Sequence, residues 1–269
     1  MRRRTVYIGL ALLALVAIAA ACAPWLTPYA PSRIAIANRL RPPSARWWFG
    51  TDDFGRDVFT RVLYGGRLSL LVGAAVTALA GLLGVAAGLL GGYVRALDAP
   101  IARLLDAMMA FPDILLAIAL VAALGPSVTN VVVALGIVYA PRLARIVRAA
   151  TLVIRELTYV EAARAIGAST RRILAVHVLR NLMSPILVQG SFIFAHAMLA
   201  EAGLSCLGVG VSPDIATWGT MISAGKGYLD SAPWLMLFPG GAIILSVLAL
   251  QLVGDGLRDL LDPRLSRQL

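Results

Sequence analysis

One lysine, two histidines and two cysteines are all that the 269 residues offer of those three residue types, each a frequent metal ligand, acid, base or nucleophile. Cys22 and Cys206 lie far apart and form no metal-ligand or redox spacing. With only His177 and His196 present, acid–base chemistry has few actors. No Ser/His/Asp set, paired carboxylates or Cys/His cluster is visible, so the chain is expected to be neither an enzyme nor a binder of a metal or cofactor. Charge is scarce as well. Asp, Glu, Lys and Arg make up 14% of the residues, against roughly 25% in soluble domains.

What replaces them is apolar. Hydrophobic residues are 59% of the chain and mean hydropathy is +0.83, more than one aqueous core can hide, since soluble chains hold about 45–50%. A helix crossing about 30 Å of hydrocarbon needs roughly 20 mostly apolar residues. Segments 6–23, 68–93, 107–124, 128–139, 183–204 and 234–253 meet or approach this, which predicts an all-α transmembrane bundle of about six spans in a lipid bilayer. Ala19-Ala20-Ala21-Cys22 is faintly like a lipoprotein cleavage site. A cleaved signal leads into a secreted body, whereas here the body is itself apolar, so an uncleaved first helix is the reading.

The net charge of +10 would fit nucleic-acid binding. The arginines, however, occupy the polar intervals between apolar runs, where they fix membrane orientation; no nucleic acid is expected as a partner. Arg2-Arg3-Arg4 puts the N-terminus in the cytoplasm by the positive-inside rule. Counting crossings returns residues 142–185 to the same side, with Arg142, Arg145, Arg148, Arg155, Arg164, Arg171, Arg172 and Arg180 against Glu156 and Glu161. The C-terminus follows. Segment 24–67 opposes this assignment, being basic yet assigned outside; the rule weakens for long loops.

Within the second span, Gly81, Gly84, Gly88, Gly91 and Gly92 recur at three- and four-residue steps. Such a face lets helix backbones approach closely in lipid, either within the chain or at a pore or dimer seam. Asp52 or Asp53 is read as the N-cap of an amphipathic helix over 54–63, lying at the outer surface beside Trp47 and Trp48. Gly219 to Gly227 superficially resembles a phosphate-binding loop. Its glycines are too far apart and Gly227 stands where Ser or Thr is needed, so ATP hydrolysis by this chain is not expected. Asp113, His196 and Glu201 are polar exceptions inside apolar runs, and such residues hint at function. Glu201 and His196 are candidates for lining a pathway, with local hydrogen bonding as the alternative.

Residues 142–185 are too polar to span a membrane, yet they carry helix signals. Thr158 and Glu161 fit a capping box. Gly167 supplies a left-handed helix end. Ser169 can cap a second helix over 171–179, closed by Asn181 and Pro185. The residues alone leave two readings of this hairpin open: a docking element for another protein, or an interfacial amphipathic hairpin.

The pattern Glu161-Ala162-Ala163-x3-Gly167-x9-His177-x-Leu179 resembles the "EAA" coupling loop of ABC-importer permeases. Phe49-Gly-Thr-Asp-Asp-Phe-Gly-Arg-Asp57, Tyr159-Val-Glu-Ala-Ala163, Glu201-Ala-Gly-Leu-Ser205, Trp218-Gly-Thr-Met-Ile222 and Gly254-Asp-Gly-Leu-Arg-Asp-Leu-Leu-Asp-Pro263 resemble, in order, the dipeptide/oligopeptide/nickel permease family. The resemblance implies a permease of the ABC type I importer kind, with a first helix (1–23), an extracytoplasmic loop (24–67) and a permease core (68–269) that carries a coupling loop (142–185) and an external segment (205–233). It further implies two cytoplasmic ATPase subunits, a second and different permease, and an extracytoplasmic solute-binding protein, in the cell membrane. Glu161, Ala162, Ala163, Gly167, His177 and Leu179 would couple to the ATPases. Di- or oligopeptides are the implied substrate and nickel the second. An ion-coupled secondary transporter is the rival class, which typically shows internal repeats and midplane charges; no repeat is evident here and buried charges are few. One position departs from the family pattern. Arg180 stands where the family usually has proline, which would otherwise fix the exit from the second coupling helix.

Overall fold

The structure, a computed structural model, describes residues 2–261, with side chains from residue 5 to 260. The side chains of Arg2, Arg3 and Arg4, on which the orientation argument draws, lie outside the described residues, as do Asp262, Pro263 and the C-terminus. Helix α1 (Arg2–Ala21) is followed by a single turn, α2 (Ala23–Leu26), and an irregular segment that ends at α3 (Val58–Tyr93). Then come α4 (Arg95–Met109), α5 (Asp113–Leu124), α6 (Val128–Ile154), α7 (Thr158–Ala165), the short α8 (Thr170–Arg172), α9 (Leu179–Cys206), α10 (Trp218–Gly225) and α11 (Trp234–Leu261). Among the described residues the only β pairing is one bridge between Thr51 and Asp57.

Four helical runs are long and apolar enough to cross a bilayer: Val58–Tyr93, Val128–Ile154, Thr170–Cys206 and Trp234–Leu260. The pair α4–α5 passes only when taken together and is bent by 92°, while Thr5–Ala21 is apolar but shorter. The six expected spans are thus four continuous rods, one broken pair and one short helix. The third expected span, 107–124, is corrected accordingly. Pro112 disfavours helical geometry at the residue before it and itself caps α5 in an extended conformation (φ −58°, ψ 128°).

Two further boundaries move. The break drawn between 67 and 68 falls inside α3, which runs 36 residues without interruption. Its cap is Asp57, which accepts from the Thr60 amide at 2.8 Å, not Asp52 or Asp53. Asp52 is otherwise engaged: its carboxylate accepts from the amides of Phe54 (2.9 Å) and Arg56 (2.8 Å) and from Arg56 Nε at 2.6 Å. Gly55, at φ +71° and against the Ala35 carbonyl, turns the chain there, so no helix can begin at 54. The 142 boundary also fails. Residues 142–154 are the last turns of α6, whose Arg142, Arg145 and Arg148 pair with Asp113, Asp106 and Asp98. The helix continues beyond its apolar part, and there its arginines are paired with those three carboxylates.

The glycine face of α3 packs within the chain. A Cβ on Gly84 would sit 2.8 Å from the Ala140 carbonyl, and one on Gly88 would sit 2.6 Å from Val147 Cβ. These positions let α3 lie directly on α6, its most extensive neighbour. Gly81 faces open space. Two apolar cores result. One joins α3, α5, α6 and α9 through Val72, Val76, Val121, Leu135 and Leu204. The other joins α1, the start of α3, α10 and α11 through Val16, Val58, Trp218 and Leu250.

Candidate functional site

The hairpin between α6 and α9 presents two faces of opposite character. Val160 is fully buried and Ala163 is 7% exposed; Val160 sits with Ile173, Val178 and Leu182 in the same core that holds α3 and α6. At 100° per residue, Glu161, Ala162, Ala165 and Ile166 fall on the opposite side of α7, and all four are exposed. Ile166 is 86% exposed. One face is a root, the other is offered outward.

Local chemistry sets the ends. Leu157, not Thr158, is the N-cap of α7, and no side chain caps it. The expected capping box is therefore absent: burying Val160 and Ala163 fixes the helical register so that Thr158 is already the first helical residue. Glu161 remains in the first turn, where a carboxylate favours the helix dipole. The C-terminal end follows expectation. Gly167 has φ +83°, its amide bonds the Arg164 carbonyl at 3.0 Å and the Ala168 amide bonds the Ala163 carbonyl at 3.0 Å, the paired closure of a Schellman end. Ser169 caps the next turn through the Arg172 amide at 3.4 Å.

Beyond that turn the expectation of a short helix closed by Asn181 and Pro185 is overturned. Residues Ile173–Val178 form a π-helical segment, where the Leu179 amide bonds the Leu174 carbonyl, and the helix continues through α9 with Pro185 inside it. Arg180, in place of proline, leaves the backbone donor at that position. Asn181 Nδ2 donates to the His177 carbonyl at 2.6 Å and to Tyr159 Oη at 3.1 Å, so it ties the hairpin instead of ending it. Pro185 is tolerated because helices in lipid re-satisfy freed backbone groups locally.

The six coupling candidates therefore separate. Glu161, Ala162 and Gly167 are exposed; Ala163 is buried as an anchor; His177 and Leu179 are half-buried. His177 lies 6.1 Å from the Tyr159 ring, inside the hairpin. Ile166 and Ala165 escaped the sequence reading. A large apolar residue directly before a helix-ending glycine, in an otherwise polar hairpin, is the signal that marks Ile166.

The pathway candidates lie elsewhere and apart from one another. Glu201 is 1% exposed, and its Oε1 accepts from Thr217 Oγ1 at 2.9 Å and Ser205 Oγ at 3.0 Å. A Cβ on Gly219 would touch Ala202 Cα at 2.7 Å and both Glu201 oxygens at 3.0 Å. The 201–205 and 218–222 motifs thus meet in one buried knot, reinforced by Trp218 Nε1 donating to the Val62 carbonyl at 2.8 Å. Glu201 is hydrogen-bonded locally within that knot. His196 is exposed, with Nδ1 2.8 Å from the Phe192 carbonyl. Asp113 is taken by Arg142. Among the described residues, no group of three or more His, Cys, Asp or Glu side chains is arranged to hold a metal ion.

Residues 80–267 match the family described as "Binding-protein-dependent transport system inner membrane component", and residues 1–43 match "N-terminal TM domain of oligopeptide transport permease C". A putative peptide transport system permease protein of Brucella suis is 51% identical over 98% of this chain and 90% of its own length. The dipeptide transport system permease protein DppC of Alkalihalophilus pseudofirmus is 44% identical over 98% of this chain and 87% of its own. The glutathione transport system permease protein GsiD of Pectobacterium atrosepticum is 43% identical over 96% and 86%. In three dimensions, a chain of the inward-facing MetNI methionine ABC transporter covers 75% of this chain and 96% of its own, with a TM-score of 0.61 at 18% identity, a likeness of fold.

Proposed function

The chain belongs to the family of binding-protein-dependent transport system inner membrane components, and from that premise we propose that it admits di- or oligopeptides and takes its power stroke through the α7 hairpin. It is a multi-pass membrane permease subunit of an ABC importer, and ATP is hydrolysed by partner ATPase subunits. In the proposed arrangement two ATPases dock on the hairpins of this chain and of a second, different permease. The exposed row Glu161, Ala162, Ala165 and Ile166 would enter the ATPase surface, with Gly167 setting the angle. N- and C-termini then lie in the cytoplasm.

The single observation that carries this reading is the two-faced hairpin. Its root residues Val160, Ile173, Val178 and Leu182 are part of the main helical core, and Ala163 is buried beside Val160 on the same face of α7. Close-packed interiors transmit displacement because they have no slack, so a push on the outer face reaches α6 and α9 directly. Peptide as substrate rests on the names of the relatives. In proteoliposomes holding the assembled complex and its binding protein, uptake of labelled peptides is expected to require internal ATP and to survive collapse of the ion gradient. Uptake that follows the gradient without ATP defeats the assignment.

The opposite end supports a docking face for the binding protein. Arg33, Arg39, Arg41 and Arg46 have no acidic partner among the described residues, since Asp52 serves Arg56 and Arg61, Asp53 faces Arg56 and Asp57 caps α3. An open cavity lined by Tyr29, Arg46, Trp48 and Phe59 lies beside them. Burial and neighbouring Asp52 push the Asp53 carboxyl above its ordinary range, which weakens the negative charge on this face as pH falls. Such a surface suits an acidic partner and steers its approach. Replacing Arg33 and Arg46 together with glutamate is expected to slow binding-protein association about tenfold at low salt. The difference shrinks as salt rises; stopped-flow association at two ionic strengths reads it.

A further inference from the structure

We infer that Asp98, Asp106 and Asp113 are positioning residues that clamp the bent α4–α5 pair to α6, so that this pair travels with α6 when the hairpin is driven. The inference rests on the coupling role proposed for that hairpin.

The first observation is how little else holds α4. It joins α3 through one non-helical residue, Val94, and of its 15 residues only Leu105 is buried. Apolar packing that weak does not fix the direction of a helix. What does meet α6 is charge. Arg148 Nε donates to Asp98 Oδ1 at 2.6 Å, Arg145 Nη2 donates to Asp106 Oδ1 at 2.6 Å, and Arg142 Nη2 pairs with Asp113 Oδ2. The three arginines are three residues apart, so they climb the α6 surface nearly one turn at a time. Their partners run in reverse chain order, from the start of α4 to the first residue of α5. The ladder therefore bridges the 92° bend and engages both limbs.

The second observation is location. Arg148 is less than two turns from the end of α6, where Arg155 Nη1 donates to the Gly92 carbonyl at 2.8 Å and the hairpin begins. The ladder thus occupies the stretch of α6 nearest the applied force, and Arg155 holds α6 to the C-terminal end of α3 beside the Val94 joint. Side chains in the ladder are 26–67% exposed, and pairs so open to solvent add little to stability. Their worth is directional: three charge-assisted contacts along one helix face specify how α4 lies without holding the fold together.

The test uses the whole complex with its ATPases, Cys22 and Cys206 replaced by serine, and spin labels at Arg103→Cys on α4 and Ala149→Cys on α6. Pulsed electron resonance compares the nucleotide-free and ATP-trapped states. With the ladder intact, the α4–α6 distance distribution is expected to keep its centre and width in both states. Asp98→Arg should broaden it or separate the helices while the ATPases still co-purify, and adding Arg148→Asp, which restores the pair with reversed polarity, should narrow it again. Should charge reversal prevent assembly, Asp106→Asn and Arg145→Gln are the milder pair: each alone should broaden the distribution and the double variant no more than either. A distance that changes with nucleotide while the ladder is intact overturns the inference, as do a swap that fails to restore and losses that simply add. If the unmodified chain does not retain the ATPases at all, the hairpin assignment fails first and takes this inference with it.

Discussion

Replacing Gly167 with valine is expected to abolish ATP-driven transport and weaken retention of the ATPases, while the chain still inserts and stays monodisperse. Gly167 sits at φ +83°, and a Cβ there would meet nothing within 4 Å. Space is therefore not the constraint; the dihedral is. A β-branched residue in the left-handed region is strained by about 1–3 kcal/mol, corresponding to roughly 5- to 150-fold in a population. Relief requires opening the Schellman closure, which would turn α7 away from α8. Its buried root at Val160 and Ala163 would then compete with its exposed row for position. The substitution series separates geometry from bulk. Asparagine, which tolerates left-handed backbone, should retain most activity, alanine less and valine least. Co-purification of ATPases and ATP-driven uptake, measured on matched amounts of inserted protein, provide the readout. Equal activity in all three would remove the hairpin angle from the mechanism.

Gly88→Val should be worse still, because it strikes assembly of the helices themselves. The added side chain would begin 2.6 Å from Val147 Cβ and 2.7 Å from the Ala144 carbonyl, and backbone cannot step aside. Overpacking of well-packed sites disfavours the fold by about 1–3 kcal/mol. In lipid, where helix association relies on close contact in place of hydrophobic drive, separating α3 from α6 removes that contact along the whole seam. A fall in the yield of monodisperse protein and a lowered thermal transition in detergent are expected. Gly81→Ala on the same helix is the control, since nothing lies within 4 Å of it, and it should leave both quantities unchanged. Comparable losses at 81 and 88 would point to helix propensity instead of contact.

Local signals were legible and distant ones were not. Gly167 and Ser169 end and begin helices through bonds to residues within five positions, and both can be read directly from the chain. The glycine stripe of α3 announces close approach, though not that α6 supplies the opposing surface. The failures share a cause. Thr158 looks like a cap until burial of Val160 sets the register. Asp52 looks like one until its carboxylate is seen committed to Arg56. Residue 142 looks like the start of a loop because its arginines find partners 29 to 50 positions away, a pairing that no local window contains. Glu201 stands out as a charge in an apolar run, but its partner Thr217 lies 16 residues on, across the turn that ends α9. Within the hairpin, the exposed Glu161 and Ala162 came from family resemblance. Ile166 needed the burial pattern.

The length of α3 has a mechanical consequence. At about 1.5 Å per residue, its 36 residues make a rod of about 54 Å, longer than the roughly 40–45 Å of a bilayer with its headgroups. Thr60 near one tip hydrogen-bonds Thr27 at 2.5 Å in the outlying segment; at the other tip Gly92 receives Arg155 from the root of the hairpin. One uninterrupted rod therefore touches both the outlying segment and the root of the hairpin, so these two regions are joined with no break in the backbone hydrogen bonding between them.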